Sequence, residues 1–303
     1  MNQFKKVSVL ITGATGYIGS QLTKRLVKEG SDVHLLVRPS SNTEMLTDVV
    51  KETTTHIYEG SYQSMEQAIQ RSKPKIVFHL ASFASIRYQT EDVPKMVESN
   101  IVMGAYLAEA MAKQNVRKLV NTSSFSQHMD HNDYLPNSLY AATKQAFEDL
   151  ICYYTTFSML DCTSLVLFDN YGLEDPRPKL MNLLYETMKE GTTLRMSPGE
   201  QYLDLLYIDD VINAYLVAGR RLLTNEGKGL ERFTVGNENR IQLKKLVLLV
   251  KEITKKQIRV EWGALDYRAG EIMVPWNKGT PLPGWKQNVS LEEGIRRFFK
   301  TNE

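Results

Sequence analysis

Short apolar stretches alternate with longer amphipathic stretches through the first half of the chain. The apolar stretches are rich in β-branched residues, which is typical of strands buried on both faces of a parallel sheet. Repeated strand–helix units predict an α/β fold with a doubly wound parallel sheet. The predicted strands are residues 7–12, 32–37, a short one near 57–59, 75–81, 117–122 and 163–168, and the predicted helices are 17–28, 65–71, 93–114 and 139–157.

The pattern changes near residue 172, where prolines and glycines interrupt the rhythm and the elements become shorter. This change predicts a larger lobe over residues 1–172 and a smaller C-terminal α/β lobe over residues 173–303 that closes over a substrate. The boundary is expected to be soft, because helices of the smaller lobe can pack back on the sheet. Helices are predicted there at 179–190, 208–223, 242–254 and 291–300.

Composition narrows the class of protein. A hydrophobic fraction of 42% and a charged fraction of 24% are ordinary for a globular protein, and the apolar runs fall short of a membrane span. The net charge of +2 gives no reason to expect a nucleic-acid or membrane partner. Cys152 and Cys162 are too few for a disulfide framework, so both are expected to be buried thiols in a cytoplasmic protein. The histidines are scattered, and no metal site is expected.

Three glycines follow the first predicted strand at three-residue spacing. Gly13 lets the chain turn sharply, Gly16 lets backbone N–H groups approach a pyrophosphate at the start of the next helix, and Gly19 lets that helix pack on the strand. A glycine triplet alone is weak evidence, but its place between a strand and a helix indicates a dinucleotide site. Residues 1–172 are therefore predicted to form a Rossmann domain.

A serine, a tyrosine and a lysine supply candidate chemistry. Ser124 follows a predicted strand, and Tyr140 and Lys144 lie one turn apart on one helix face. The lysine cation is expected to lower the pKa of Tyr140 and to fit it for proton exchange with a hydroxyl or carbonyl group. A second Tyr-x-x-x-Lys pair, Tyr185 and Lys189, lacks these neighbours and is expected to be a solvated helix face.

With these residues the chain resembles the extended short-chain dehydrogenase/reductase family, or NAD-dependent epimerase/dehydratase family, over nearly its whole length. The family's Thr-Gly-x-x-Gly-x-x-Gly matches residues 12–19, its His-Leu-Ala matches 79–81, and its later motifs resemble 199–201, 204–210 and 268–271. The resemblance implies that Ser124, Tyr140 and Lys144 are catalytic. It also implies a cofactor site formed by Gly13, Thr15, Gly16, Tyr17, Ile18, Gly19, Arg38, Ser40, Ser41, Ser61, Tyr62, Leu80, Ala81, Ser82, Asn100, Thr122, Tyr140 and Lys144.

One departure from the family pattern concerns the cofactor. NAD-preferring members place an aspartate at the end of the second strand, where this chain has Val37 followed by Arg38. Arg38, with Ser40 or Ser41, would accept a ribose 2′-phosphate, so NADP is expected rather than NAD. Ser61 replaces the family's adenine-facing aspartate, which leaves that contact open.

Other departures concern the reaction. The family's 4,6-dehydratases carry an acid pair after the catalytic strand, where this chain has Phe125 and Ser126, so dehydration is not expected. C5-epimerisation would need a base near the sugar ring, for which His128 and His131 are the only candidates in that loop, and both are expected to be surface residues. The substrate side is expected to comprise Phe83, Ser124, Phe125, Asp169, Asn170, Lys179, Leu203 and Arg268, with Arg177 as a further diphosphate contact.

The run of residues 168–172, with 175–177 and 196–201, looks most like the subgroup of nucleotide-sugar 4-ketoreductases that contains CDP-abequose synthase. The resemblance implies an NADPH-dependent 4-ketoreductase of a CDP-, dTDP- or UDP-linked 4-keto-6-deoxy or 3,6-dideoxy hexose, in the synthesis of surface polysaccharide. A 4-epimerase with tightly bound NAD and a non-catalytic nucleotide-sensing protein remain alternatives.

Family members also pair the 93–114 and 139–157 helices into a four-helix bundle, so the resemblance implies a homodimer. The apolar and aromatic residues of the second helix suit either that pairing or burial within one subunit: Phe147, Leu150, Ile151 and Tyr154.

Overall fold

Seven parallel strands form the central sheet, in the order Thr53–Ile57, Asp32–Val37, Ser8–Thr12, Ile76–His79, Lys118–Ser124, Asp161–Leu167 and Leu230–Val235. The computed structural model describes residues 3–85, 88–237 and 239–301. Because the strands are parallel, their carboxyl ends meet at one edge, where ligands bind in such folds. The strands are β1 (Ser8–Thr12), β2 (Asp32–Val37), β3 (Thr53–Ile57), β4 (Ile76–His79), β5 (Lys118–Ser124), β6 (Asp161–Leu167) and β11 (Leu230–Val235).

Helices cover both faces of this sheet. Successive residues of β1 enter different cores: Val9 and Ile11 pack in one buried cluster and Leu10 in the other, as the two-residue period of a strand requires. The first cluster includes α1 and α7, and the second includes α2, α4 and α5. The helices are α1 (Tyr17–Lys28), α2 (Tyr62–Ser72), α3 (Asp92–Val97), α4 (Met103–Lys113), α5 (Leu139–Phe157), α6 (Leu180–Glu190), α7 (Ile208–Leu223), α8 (Leu243–Thr254) and α9 (Leu291–Thr301).

The α/β fold and the parallel sheet are confirmed, with two local corrections. The third strand comes earlier than the expected 57–59, because Thr53–Ile57 pairs with β2 and residue 57 is its last member. The expected single helix over 93–114 is divided by a π-helical turn, Glu98–Val102, between α3 and α4. Asn100 lies within that turn and is buried.

After β6, the chain contributes a further strand to the central sheet and forms small two-stranded sheets. β11, although it lies beyond residue 172, completes the central sheet against β6, and α7 packs against β5 and β6. The lobe division at residue 172 stays a prediction. The small two-stranded sheets pair β7 (Asp169–Tyr171) with β10 (Leu205–Tyr207), β9 (Tyr202–Leu203) with β12 (Ile241–Gln242), and β8 (Thr193–Met196) with β13 (Arg259–Trp262).

Two side-chain predictions are corrected by the packing. Cys162 is buried as expected, but Cys152 is exposed on α5. Tyr185 does not stand on a solvated face, because its ring packs against Phe298 and Phe299, whereas Lys189 is exposed. Within the described residues, none of the helices has the length and apolarity that a membrane span requires.

Candidate active site

The glycine turn after β1 tests whether a dinucleotide fits. Gly13 has a φ of +72°, and a Cβ there would lie 2.5 Å from the backbone nitrogen of Ala81. A Cβ on Gly19 would lie 2.1 Å from the Gly13 carbonyl oxygen, so the fold itself requires both glycines. Gly16 is exposed at the start of α1, and a Cβ there would meet only the Gly13 carbonyl oxygen, at 3.4 Å. The packing of the protein would therefore tolerate a side chain at position 16. A phosphate approaching the helix N-terminus would not, because it needs the space that a Cβ would fill.

The end of β4 is fastened to this turn by side-chain hydrogen bonds. Thr12 Oγ1 lies 2.8 Å from His79 Nδ1 and accepts a hydrogen bond from the Ala81 N–H at 3.2 Å. Thr122 Oγ1 donates to the His79 carbonyl at 2.9 Å and pairs with the Tyr215 hydroxyl at 2.7 Å. The Thr122 hydroxyl, predicted to touch the cofactor, is therefore engaged within the protein.

Asn100 joins the loop after β4 to α5. Its Oδ1 accepts hydrogen bonds from the Phe83 N–H at 2.7 Å and from Ser82 Oγ at 3.1 Å. Its Nδ2 donates to Thr143 Oγ1 at 2.9 Å and to the Phe83 carbonyl at 3.2 Å. Asn100 makes these bonds from within the π-helical turn, and such turns are frequent at functional sites. The loop carrying two predicted ligand contacts is thereby held beside Tyr140 and Lys144.

The three candidate catalytic residues lie at the sheet edge. Ser124 ends β5, and Tyr140 and Lys144 occupy the first turns of α5, which Ser138 caps by accepting a hydrogen bond from the Ala141 N–H. Burial raises the pKa of Tyr140, and a hydrogen bond with Ser82 opposes this. The expectation that Lys144 would lower it is thus corrected: the cost of ionising a buried phenol dominates. Burial also lowers the pKa of Lys144 to about 8.

These shifts decide which protons are held at neutral pH. Tyr140 keeps its phenolic proton, and Lys144 remains mostly cationic below its pKa of about 8. His79 is neutral, because burial and the neighbouring Lys144 lower its pKa to about 3. The site therefore combines a proton donor with a buried cation, which suits protonation of an oxygen that gains negative charge.

The end of β2 presents an arginine to solvent. Arg38 follows Val37 directly, its N–H donates to Ser41 Oγ at 3.0 Å, and its side chain is exposed. Ser61 and Tyr62, by contrast, serve α2: Ser61 caps the helix through the Ser64 N–H, and the Tyr62 hydroxyl donates to Glu66 while its ring packs on Tyr106. Their predicted cofactor contacts gain no support from these side-chain positions. Thr15 and Ile18 flank the glycine turn, and Leu80 and Ala81 adjoin it.

The predicted substrate residues divide into two groups. Asp169 attracts both Lys179 and Arg268, so these three charges lie within one electrostatic neighbourhood. Arg268 also makes two hydrogen bonds with Glu271, at 2.8 and 3.2 Å. Phe125 stacks on Phe168, with ring centroids 5.1 Å apart.

The second group is turned into the protein. Asn170 is buried, and its Oδ1 accepts from Arg177 at 2.9 Å. Arg177 is itself paired with Asp175 at 2.6 Å, and its guanidinium lies over the Tyr17 ring. Leu203 packs against the core. The contacts of Asn170, Arg177 and Leu203 are thus accounted for within the protein, without a ligand.

The loop after Ser124 holds residues that the sequence did not reveal. His128 was expected at the surface but is buried, stacked on Trp276 at 3.8 Å, with its Nδ1 2.6 Å from the Asp133 carbonyl oxygen. His131 is partly buried, with its Nδ1 shielded from solvent. Trp276 is far away in sequence and carries no motif, so no local signal could have identified this stack.

A buried carboxylate, Asp204, is connected through Arg240 to the segment that carries Trp276. Asp204 accepts a hydrogen bond from the Asn237 N–H at 2.6 Å, and Arg240 lies 3.6 Å away. Burial nonetheless raises the pKa of Asp204 to about 7. The Arg240 guanidinium also donates hydrogen bonds to the carbonyl groups of Pro275 and Trp276. Asp204 and Arg240 together therefore hold the segment whose Trp276 stacks on His128.

The fold and the site define a Rossmann-type protein with a dinucleotide turn and a serine–tyrosine–lysine set at one sheet edge. The chain belongs to the NAD dependent epimerase/dehydratase family, whose family model matches residues 9–236. This confirms the family expected from the sequence motifs.

Curated relatives include more than one activity. The chain is 26% identical to a CDP-abequose synthase of Salmonella typhimurium over 98% of this chain and 99% of the relative. It is 28% identical to a UDP-glucose 4-epimerase of Mycolicibacterium smegmatis, over 96% and 98% of the two chains. Among solved structures, the Thermus thermophilus UDP-glucose 4-epimerase in complex with NAD is 25% identical, with a TM-score of 0.82 over 96% of this chain and 97% of that chain.

Proposed function

We propose that this chain reduces the C4 keto group of a nucleotide-linked 4-keto-6-deoxy or 3,6-dideoxy hexose with NADPH. The observation that carries the proposal is the end of β2, where the exposed Arg38 stands instead of a carboxylate. A guanidinium there favours a ribose 2′-phosphate and so a cofactor that is consumed and exchanged. The CDP-abequose synthase relatives, one of which matches nearly the whole chain, support this choice of reaction.

NADPH, held by the glycine turn and the end of β2, would supply the hydride. Tyr140 donates its retained phenolic proton to the substrate oxygen as negative charge develops there. Ser124 Oγ accepts a hydrogen bond from the Ser126 N–H at 3.2 Å, which leaves its own proton to orient the same oxygen. Lys144 provides a buried positive charge beside them, which favours the proton transfer.

Other residues would bind and limit the substrate. Arg268 and Lys179 are the candidate cations for binding a diphosphate. To bind it, Arg268 would give up one of its hydrogen bonds with Glu271 and donate to a phosphate oxygen instead. Phe125 and Ser126 provide no acid–base pair, so we propose that the reaction ends at the alcohol and does not continue to dehydration. The proposed setting is the cytoplasmic synthesis of surface-polysaccharide sugars.

A 4-epimerase is the competing function, and the UDP-glucose 4-epimerase relatives are the observation that favours it. The same three residues would serve it, but NAD would stay bound and no cofactor would be consumed. A nucleotide-sensing protein without catalysis is the less favoured alternative, because Tyr140 and Lys144 are both present at the sheet edge, Tyr140 partly buried and Lys144 buried.

The cofactor content of the purified protein tests the choice. We expect protein that is largely free of nucleotide and that binds NADPH reversibly, and more tightly than NADH, by fluorescence titration. Stoichiometric NAD that survives gel filtration and is released only on denaturation would contradict the reductase and favour the epimerase.

A further inference from the structure

A buried glutamine organises the backbone around Ser124. Gln127 Oε1 accepts hydrogen bonds from Ser123 Oγ at 2.6 Å and from the Ser124 N–H at 3.1 Å. Its Nε2 donates to Gln145 at 2.9 Å and to Glu148 at 3.4 Å. The side chain is fully buried, so these bonds have no competition from water. Ser124 is therefore set in place from α5.

Glu148 is the centre to which this network leads. Its carboxylate is buried on α5, one turn after Lys144, and it accepts hydrogen bonds from Gln127, Ser164 and the Arg232 Nε, the last at 3.0 Å. A buried carboxylate is costly unless it is paired, and Arg232 is its partner on β11. Arg232 is about half exposed, so solvent partly screens its positive charge. The negative charge of Glu148 is therefore not fully compensated, and it still acts on other groups of the site.

The charged and titratable groups around Glu148 and Lys144 come from several elements. Glu148 attracts Lys144 along α5, and His79 of β4 interacts electrostatically with Lys144 and is neutral. Cys162 of β6 and His128 of the loop after β5 both feel the Glu148 charge. Of these groups, Glu148 is the one that favours the cationic form of Lys144.

We infer that Glu148 is a positioning residue of this site, which holds Lys144 as a cation by its charge and holds Ser124 through Gln127 by its hydrogen bonds. The inference deepens the proposed function and rests on it for the role of the triad. The two actions are separable. Glu148→Gln removes the charge but keeps a hydrogen-bond acceptor, whereas Gln127→Met removes the bonds to Ser123 and Ser124 but keeps the charge.

The titration of Lys144 tests the charge without any turnover. NMR of lysine-labelled protein, with the signal assigned by its loss in Lys144→Met, reports the pKa directly. In Glu148→Gln we expect that pKa to fall by roughly one unit, because an opposite charge about one helical turn away favours the cation. Asp149→Asn is the matched control, since it removes an exposed charge at the next position of α5, and it should leave the titration unchanged.

The pH profile of turnover supplies the second readout. In Glu148→Gln the alkaline limb of the pH profile of kcat should move to lower pH by a similar interval. In Gln127→Met we expect kcat to fall roughly tenfold or more at every pH, with the Lys144 titration unmoved. A Lys144 titration in Glu148→Gln equal to that of Asp149→Asn would overturn the inference.

A folding defect would still be informative. If Glu148→Gln does not fold, the double variant Lys144→Met/Glu148→Gln should fold, because it removes the buried cation together with its partner. A double variant as unfolded as the single one would contradict the electrostatic role. Because the NMR titration needs no substrate, a failure of the proposed reaction in wild-type protein is distinguishable from a failure of this inference.

Discussion

Arg38 is a single side chain on which the choice of cofactor depends. It is exposed at the carboxyl end of β2, and its backbone N–H is bonded to Ser41 in the following turn. Arg38→Ala is expected to raise the KM for NADPH roughly 10- to 100-fold while changing that for NADH little, because it removes charge-assisted bonds to the 2′-phosphate alone.

Initial rates with each cofactor measure this effect. Arg117→Ala is the matched control, since Arg117 is equally exposed but precedes β5 and so lies at the opposite edge of the sheet. A loss of the same size for NADPH and NADH in Arg38→Ala would contradict a 2′-phosphate contact.

Tyr140 is the residue to which the account assigns the proton. Tyr140→Phe should lower kcat roughly 10²- to 10⁴-fold, the usual contribution of general acid catalysis, and should leave the affinity for NADPH nearly unchanged. Steady-state rates and fluorescence titration measure the two effects separately. Survival of turnover in this variant would show that another group donates the proton.

Local sequence pattern predicted residue identity at the site better than residue environment. The spacing of Tyr140 and Lys144 placed them on one helix face, but burial sets the direction of the Tyr140 pKa shift, and the opposing hydrogen bond comes from Ser82, far away in sequence. His128 lies in a polar stretch, yet it is buried and its ring stacks on Trp276. Such tertiary contacts leave no trace in a local pattern.

At the scale of elements, two glycines of the turn after β1 are expected to serve different purposes: Gly19 is required for folding and Gly16 for binding the cofactor. Gly19→Ala places a Cβ 2.1 Å from the Gly13 carbonyl oxygen and should lower the free energy of unfolding by roughly 3 kcal/mol. Gly16→Ala meets only the contact of 3.4 Å and should fold normally but bind NADPH roughly tenfold more weakly or worse, because it crowds the start of α1.

Urea unfolding and fluorescence titration distinguish the two variants. Each variant serves as the control for the other, since both add one methyl group to the same turn. If Gly16→Ala lost stability without losing affinity, the phosphate site would not lie at this helix N-terminus.

Element boundaries show where hydrophobic periodicity is informative. Buried β1 and β2 were predicted to within one residue, and the predicted strand 75–81 contains the shorter β4, because helices cover both faces of these strands. β3 lies at the sheet edge and has exposed threonines, so the apolar signal fell on its last residue and the two residues after it. The π-helical turn at Asn100 keeps helical spacing on either side and is invisible to a period of 3.6 residues.

At the scale of the whole molecule, α5 bears on assembly. Phe147 and Ile151 are buried within the subunit, so they do not belong to a dimer face. Tyr153 and Phe157 are 57% and 73% exposed on the same helix, and we propose that they contribute to a four-helix bundle between two subunits.

Sedimentation velocity tests this assembly. Phe157→Glu should convert a dimer to a monomer, because it places a charge in an apolar interface. Leu248→Glu is the control, since Leu248 is 62% exposed on α8 and is not part of the proposed face. A wild-type chain that is monomeric at micromolar concentration would contradict the proposal.

The order of the sheet was predictable only in part. Alternating strands and helices indicated a parallel doubly wound sheet, yet β11 comes from the second half of the chain to complete it. That pairing joins Leu230 to Cys162, residues too distant in sequence for a local pattern to connect. The parallel architecture followed from the repeated units, whereas the last strand depended on long-range packing.

The reaction itself provides the most direct measurement. Purified protein is mixed with NADPH and each of the CDP-, dTDP-, UDP- and GDP-linked 4-keto-6-deoxy sugars, and cofactor oxidation is followed by absorbance while the sugar product is identified by NMR. We predict that with at least one of them NADPH is consumed in equal amount to the 4-hydroxy sugar formed. Absence of NADPH consumption with all four, together with interconversion of C4 epimers by protein-bound NAD, would contradict the account.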